Sequence, residues 1–434
     1  MKKVEPKTLS GFMELMPKDQ VLFNHVKHII ESTYESYGFY PLDTPIVEDA
    51  NVLLAKAGGE TEKQIYAFKK GDNDLALRFD LTVPLAKYVA ARSNDLIFPF
   101  KRYQIGKVYR GERPQKGRFR EFYQCDIDVI GNETLSLKYD AEMPRIIYDI
   151  FKTLDFGPFT IYLNNRKVLS GYFEYLNLTD KISDILRIID KLDKIGEENV
   201  ILTLKDLSID EDKIKEIIKF ININGKPLEI IKSLKELNID NELFNLGVSE
   251  LEEVINTLYA FGLDDNYFAI NLTIARGLDY YTGTVYETKL NEYPSLGSIC
   301  SGGRYDNLAE YYTDQKLPGV GISIGLTRLF DQLLDAGIIK NNLKTSIDVI
   351  ILPMTDNLAY INKYAECLRS MAYNVDTIYT NKFKQAIKYA SRQEVKYALI
   401  IGDDEVSKNV AMLKNMETGD QEEVTLDNIC QKIK

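Results

Sequence analysis

The chain reads as an α+β protein, with a sheet built around an antiparallel hairpin and flanked by helices, a helical insertion, and a C-terminal α/β domain. Three observations predict this. Two strand-like runs, Arg102 to Arg110 and Phe119 to Ile130, flank a Pro/Gly turn centred on Pro114-Gln115-Lys116-Gly117, the pattern of a hairpin. Between about Asn165 and Leu263 the composition shifts to Ile, Leu, Lys, Asp and Glu at helical spacing, as in Ile182, Ile185, Leu186, Ile189 and Leu192. Beyond the linker Lys340-Asn341-Asn342-Leu343-Lys344, apolar runs of strand length alternate with helical stretches.

Taken in order, a helix is expected from about Lys18 to Tyr37, with Leu22, Val26, Ile29 and Ile30 at helical spacing. His25 and His28 lie on it without metal partners and read as surface or interface residues. Pro41 and Pro45 then force an extended segment suited to a sheet edge. The hairpin follows, and the same domain resumes near Asn266. The expected boundaries are 1–164 with 264–336 for a discontinuous first domain, 165–263 for the insertion, and 345–434 for the last domain. In the last, Val349–Pro353 and Tyr397–Gly402 are the strands, with helices near Asn357 to Met371 and Lys382 to Ser391, giving a parallel-type arrangement.

The hairpin is also where chemistry concentrates. Between Lys101 and Arg120 eight cations (Lys101, Arg102, Lys107, Arg110, Arg113, Lys116, Arg118 and Arg120) face one carboxylate, Glu112, a density that suits a phosphate site. Under the period-two rule Arg110 and Glu112 share a face, as do Gln124, Asp126 and Asp128 on the returning strand. A lined cavity is expected between them. Tyr109, Phe122, Cys125, Ile127 and Val129 are assigned to the opposite, packed faces.

Composition narrows the function. With 434 residues and 45% hydrophobic content the chain can hold two or three domains. A net charge of −11 argues against non-specific coating of nucleic acid, but leaves room for a local basic track. No membrane-span-length apolar run is present, and no apolar stretch follows the two N-terminal lysines, so neither a membrane protein nor a secretory signal is expected. Cys125, Cys300, Cys367 and Cys430 show no C-x-x-C spacing, which favours free thiols in a reducing, cytoplasmic setting.

Arg110-Gly111-Glu112 with its basic loop resembles motif 2 of the class II aminoacyl-tRNA synthetases, in the version found in histidyl-tRNA synthetases. Three more segments are similar to that family: Leu77-Arg78-Phe79-Asp80-Leu81-Thr82-Val83-Pro84, the Ala275–Glu287 block containing Arg276-Gly277-Leu278-Asp279-Tyr280-Tyr281-Thr282-Gly283, and Gly319–Arg328, which resembles motif 3. The resemblance covers nearly the whole chain. It implies a class II synthetase-type antiparallel sheet flanked by helices and a C-terminal anticodon-binding domain. The helix with its edge strand resembles motif 1, which implies a homodimer; read alone it is an ordinary amphipathic helix. The insertion either lies against the tRNA acceptor arm or is structural, and Lys382, Lys384 and Lys388 are RNA contacts or solvated lysines.

Activating an amino acid brings its carboxylate to the α-phosphate of ATP, so two anions must be held and developing charge stabilised. Arginine suits both tasks because it stays protonated and its planar fork matches phosphate oxygens. The resemblance implies that Arg110 holds the α-phosphate and the substrate carboxylate, Arg276 presses on the α-phosphate from the other side, Arg328 takes the γ-phosphate, and Glu112 meets the adenine amino group. Mg²⁺, with protein ligands unassigned, would bridge the outgoing pyrophosphate. For L-histidine it implies Asp80, Thr82 and Gln124 at the amino group, Leu81 in the same binding segment, Asp128 and Tyr281 at the ring, and Tyr280 and Tyr305 packed or hydrogen-bonded beside it. Core packing is the other reading of Tyr280. Histidine then passes to the 3′ end of tRNA(His), with no protein base named for that step.

One mixture stands out. Asp80-Leu81-Thr82 resembles the eukaryotic and archaeal form, whereas Arg113-Pro114-Gln115-Lys116-Gly117-Arg118 resembles the bacterial loop that reads an extra 5′ guanosine. Arg113 and Gln115 are the implied tRNA contacts, to a base edge or to phosphate. The alternative function is a non-catalytic histidine-binding regulatory paralogue, a class whose members usually lose these arginines and the last domain.

Overall fold

Tyr40 and Pro41 form the outer strand of the main sheet, where a proline without a backbone donor leaves no ladder bond unmade. The computed structural model describes residues 3–55, 60–113, 117–274, 281–339, 345–380 and 382–433. They fall into two compact units, Met1–Glu14 with Val26–Ile339 and Leu15–His25 with Lys340–Lys434.

The strands of the first unit are β1 Tyr40–Pro41, β2 Val47–Asp49, β3 Ala67–Lys70, β4 Asn73–Leu77, β5 Phe100–Tyr109, β6 Glu121–Ile130, β7 Phe159–Asn165, β8 Phe268–Ile270, β9 Thr284–Leu290, β10 Ser298–Tyr305 and β11 Gly319–Ile324. The main sheet has the order β1-β5-β6-β11-β10-β9-β7-β8. It is antiparallel from β5 to β7, with a parallel pair at each edge. The expected hairpin is there, β5 and β6 pairing from Phe100–Ile130 to Tyr109–Glu121, and the backbone N–H of Arg110 extends the ladder to the carbonyl of Arg120 at 2.9 Å. A separate three-stranded sheet, β2-β4-β3, leads the chain into Arg78 and Asp80.

Alternation along β6 decides which face packs. Cys125, Ile127 and Val129 are fully buried; the Tyr34 hydroxyl, from the helix Pro17–Ser36, donates to the Cys125 carbonyl at 3.0 Å. The helix Lys138–Leu154 buries Met143, Ile146, Ile147, Ile150 and Phe151 as one stripe. It is pinned to the sheet by a buried pair: Arg304 on β10 donates from Nε and Nη2 to both oxygens of Asp140, the shortest contact 2.6 Å. The Gln124, Asp126 and Asp128 side of β6 is left for the cavity.

From Arg166 to Ala260 the chain is helical, the longest helix being Glu242–Ala260, and its core includes Tyr172 stacked on Phe220 with ring centroids 3.8 Å apart. These helices lie within the first unit.

The second unit holds β12 Val349–Met354, β13 Val375–Thr377, β14 Tyr397–Gly402, β15 Ala411–Asn415 and β16 Gln421–Val424, in the order β13-β12-β14-β15-β16. Its first three strands are parallel, as expected. The last two are antiparallel, so the sheet is mixed; their hairpin turns at Gly419, whose φ of +84° favours glycine. Helices Leu358–Ser370 and Phe383–Arg392 match the two expected ones.

Candidate active site

A cavity of about 470 Å³ opens on the even-numbered face of β6, lined by Gln124, Asp126 and Asp128 and by residues of β9, β10 and β11. Phe122 faces it too. The assignment of Phe122 to the packed side was wrong, because it keeps the same period-two register as Gln124. The ring now carries the Arg110 guanidinium 5.1 Å from its centroid, with Phe79 on another side at 4.3 Å. Arg110 Nε also donates to the Phe79 carbonyl at 3.2 Å, so this cation is aimed by two aromatic rings and a backbone oxygen.

The eight-cation run does not act as one phosphate site. Lys101 pairs with Glu142 at 2.9 Å, Lys107 with Glu121 at 2.7 Å, and Arg118 with Glu112 at 3.3 Å, while Arg120 donates to the Glu112 carbonyl. Arg102 is fully buried and its Nη2 lies 2.7 Å from Asp128 Oδ2. Of the run's described residues, Arg110 and Arg118 line the cavity. Arg328 joins them from the first turn of the helix Leu326–Asp335, held by a 2.8 Å bond from Nη2 to the Leu296 carbonyl. That helix is fixed to β6 where the Tyr123 N–H donates to Thr327 Oγ1 at 2.8 Å.

Further along β6 the lining turns acidic. Asp128 accepts a 2.6 Å bond from the Tyr305 hydroxyl at Oδ1 and faces Arg102 at Oδ2. Burial raises its pKa, opposed by Arg102 and the Tyr305 bond. Asp80 comes in from the loop before the helix Thr82–Arg92; its Oδ1 accepts from the Val83 N–H of that helix's first turn at 2.9 Å. Burial raises its pKa as well, against the Val83 bond and Arg110. Arg78, just before it, is buried and anchored to the carbonyls of Thr44 at 2.5 Å and Lys107 at 2.8 Å, which sets the path of the loop. Gln124 donates to Ser323 Oγ at 2.7 Å while its own Oε1 is buried without a partner.

Two glycines make this packing possible. A Cβ on Gly321 would overlap Asp128 Oδ1 and the Ile127 carbonyl, and one on Gly303 would come within 2.6 Å of the Thr284 carbonyl and 2.9 Å of the Tyr281 ring. Their lack of a side chain lets Asp128 and Tyr281 sit against the sheet.

The cavity thus brings together Asp80, Thr82, Arg110, Glu112, Gln124, Asp128, Tyr281, Tyr305 and Arg328. Leu81 is fully buried behind the wall, its carbonyl accepting from Arg102 Nη2 at 3.2 Å. Arg113 is exposed and away from the lining. Arg276, Tyr280 and Gln115 lie outside the described residues. Sequence reasoning missed Glu287, Cys300, Ser301, Ser323 and Gln332, which line the cavity, and left Asp126 without a role although the alternation had placed it on the right face.

The family model for histidyl-tRNA synthetase matches residues 11–329. The chain belongs to the histidyl-tRNA synthetase family. An anticodon-binding-domain model matches residues 348–434, the second unit's sheet and helices. A protein named histidine–tRNA ligase from Clostridium tetani is 55% identical, covering all of both chains, and one of the same name from Finegoldia magna is 49% identical over 99% of this chain and all of that one. Among solved structures, the histidyl-tRNA synthetase of Nostoc sp. PCC 7120 superposes with a TM-score of 0.88 at 44% identity, covering 99% of each chain. A Bacillus halodurans protein titled ATP phosphoribosyltransferase regulatory subunit/histidyl-tRNA synthetase shares the fold, with a TM-score of 0.76 at 18% identity. As in the family, the sheet is the class II type with the cavity on one face and the helices behind.

Proposed function

We propose that this chain is a histidine–tRNA ligase, which joins L-histidine to ATP as histidyl-adenylate, releases pyrophosphate, and transfers histidine to the 3′ end of tRNA(His). The observation that carries the reading is the division of charge along one strand face, arginines at the turn end and carboxylates at the far end. Phe122 and Asp128 are six residues apart, roughly 20 Å of strand. That length accommodates a nucleotide followed by an amino acid.

In this reading Arg110 grips the α-phosphate and the histidine carboxylate, Arg276 presses from the opposite side, Arg328 takes the γ-phosphate, and Glu112 meets the adenine. Guanidinium groups already oriented by Phe79, Phe122 and the Leu296 carbonyl need little reorganisation when charge develops at phosphorus. Asp80, Thr82 and Gln124 take the ammonium group. Asp128 and Tyr281 take the ring, with Tyr305 holding Asp128 in place. A buried acceptor and a phenol left unpaired would reject isosteres lacking ring nitrogens.

Among the described residues no group of three or more His, Cys, Asp or Glu side chains could hold a metal ion. Mg²⁺ arriving with the nucleotide would neutralise phosphate charge, and one or two carboxylates would suffice to hold it. Arg113 and Gln115 are candidates for the tRNA end, and the second unit for the anticodon. A homodimer is supported by exposed apolar side chains at and near the sheet edge, Tyr40 at 72% and Ile97 at 87%. No described helix is long and apolar enough to cross a membrane.

The test is Arg276→Ala. Activation should collapse while histidine binding survives; unchanged turnover would remove Arg276 from the mechanism.

A further inference from the structure

Among the cavity residues without a role above, one is a buried carboxylate on the strand that carries the site. Asp126 lies on β6 between Gln124 and Asp128, roughly 7 Å from each along the strand, on the same face, and is 2% exposed. Asp128 accepts from Tyr305 at Oδ1, and its Oδ2, though without a hydrogen bond, is ion-paired with Arg102 at 2.7 Å. Asp126 has Ser323 beside its carboxyl, but its Oδ1 is buried with no hydrogen-bond partner, and among the described residues no cation is ion-paired with it as Arg102 is with Asp128. Native proteins rarely leave a buried acceptor orphaned, and doing so is costly, so a donor arriving with a ligand is the simplest resolution.

Charge points the same way. Among the described residues of this floor, the buried carboxylates Asp80, Asp126 and Asp128 stand against the buried guanidinium of Arg102, with Arg110 half-buried toward the turn. With Asp126 ionised, carboxylate charge here exceeds the charge of Arg102, which favours a further cation.

We propose that Asp126 is a substrate-binding carboxylate that accepts a hydrogen bond from the α-ammonium group of the amino acid. The inference rests on the histidine-ligase reading above and assigns it a further specificity-determining residue.

The ionisation of Asp126 supplies a second readout. Burial pushes its pKa up to about 7, with Asp128 and Asp80 adding to the rise and Arg102 and Ser323 opposing it. The other titratable groups that feel its charge are Cys300 on β10 and, on the packed side of β6, Cys125 and Tyr34, all driven further toward their neutral forms by burial. A cation at Oδ1 favours the carboxylate. Binding near pH 7 therefore releases a proton from Asp126, about half a proton per site on average.

Calorimetric titration of the full chain, in two buffers of different ionisation enthalpy at pH 7, tests this with three ligands. Histidine and histidinol carry the ammonium group; imidazole-4-propionate lacks it. Asp126→Asn is expected to weaken histidine and histidinol about 10- to 100-fold, to lower the proton release seen with histidinol by about half a proton, and to change imidazole-4-propionate binding less than about threefold. Histidine and histidinol affinities unchanged in the variant, or imidazole-4-propionate weakened equally, would overturn the assignment while leaving the ligase reading intact. If the variant fails to fold, wild type decides once each ligand ring's own proton release, read from the pH dependence of its affinity, is subtracted: equal remaining release for histidinol and imidazole-4-propionate overturns the proposal, and a larger remainder for histidinol upholds it. No binding of histidine to wild type would sink both readings together.

Discussion

Arg102 Nη2 lies 2.7 Å from Asp128 Oδ2, across the paired strands β5 and β6, with the arginine wholly buried. Among the described residues no other cation is ion-paired with Asp128. Arg102→Met should therefore destabilise the protein by about 3–5 kcal/mol, because it leaves buried carboxylates uncompensated rather than merely losing one contact. Urea unfolding at pH 7 measures it; a loss under about 1 kcal/mol would mean the pair is not what holds Asp128.

Asp126 makes stability depend on pH. Its folded-state pKa, about 7 against an ordinary 3.8, means the folded chain binds a proton that the unfolded chain has released between those values. The contribution is fully present below pH 3.8 and is lost as pH rises through 7. At about 1.4 kcal/mol per unit, the loss amounts to roughly 4 kcal/mol across that window. Asp126→Asn lacks this term. The unfolding free energy of the variant, relative to wild type, should rise as pH goes from 4 to 7, and a flat difference would contradict the assignment.

Gly321→Ala places a methyl group against Asp128 Oδ1 and the Ile127 carbonyl. Backbone on one side and an ion-paired carboxylate on the other leave no flexible group to yield, so a cost of about 1–3 kcal/mol is expected. Displacing Asp128 should also weaken histidine binding. Isothermal titration beside thermal melting checks both, and native affinity in a stable variant would show that the site does not need Asp128 where it stands.

Arg328→Ala should raise KM for ATP about tenfold or more while leaving KM for histidine near its wild-type value, since the residue is placed with the nucleotide. Equal effects on both would move Arg328 out of the nucleotide end.

The hairpin was legible because its signals are local: alternation over ten residues a side and a Pro/Gly turn between them. The face holding Gln124, Asp126 and Asp128 followed from the same rule. What the sequence concealed was pairing over distance. Arg102 resembles its neighbours in a basic run, and only the fold shows that it is swallowed by carboxylates 24 and 26 residues on while Lys101 and Lys107 are used up elsewhere. The Arg304–Asp140 pair spans 164 residues and left no local trace. In the second unit the hydrophobic strands Val349–Met354 and Tyr397–Gly402 could be read, whereas Gln421–Val424, polar and mostly exposed, could not.

The central claim is tested most directly by ATP–pyrophosphate exchange with the purified full chain, Mg²⁺ and each standard amino acid in turn, without tRNA. Exchange with histidine and no other amino acid is the expected result. Silence with histidine despite measurable histidine binding, or exchange with a different amino acid, would contradict it.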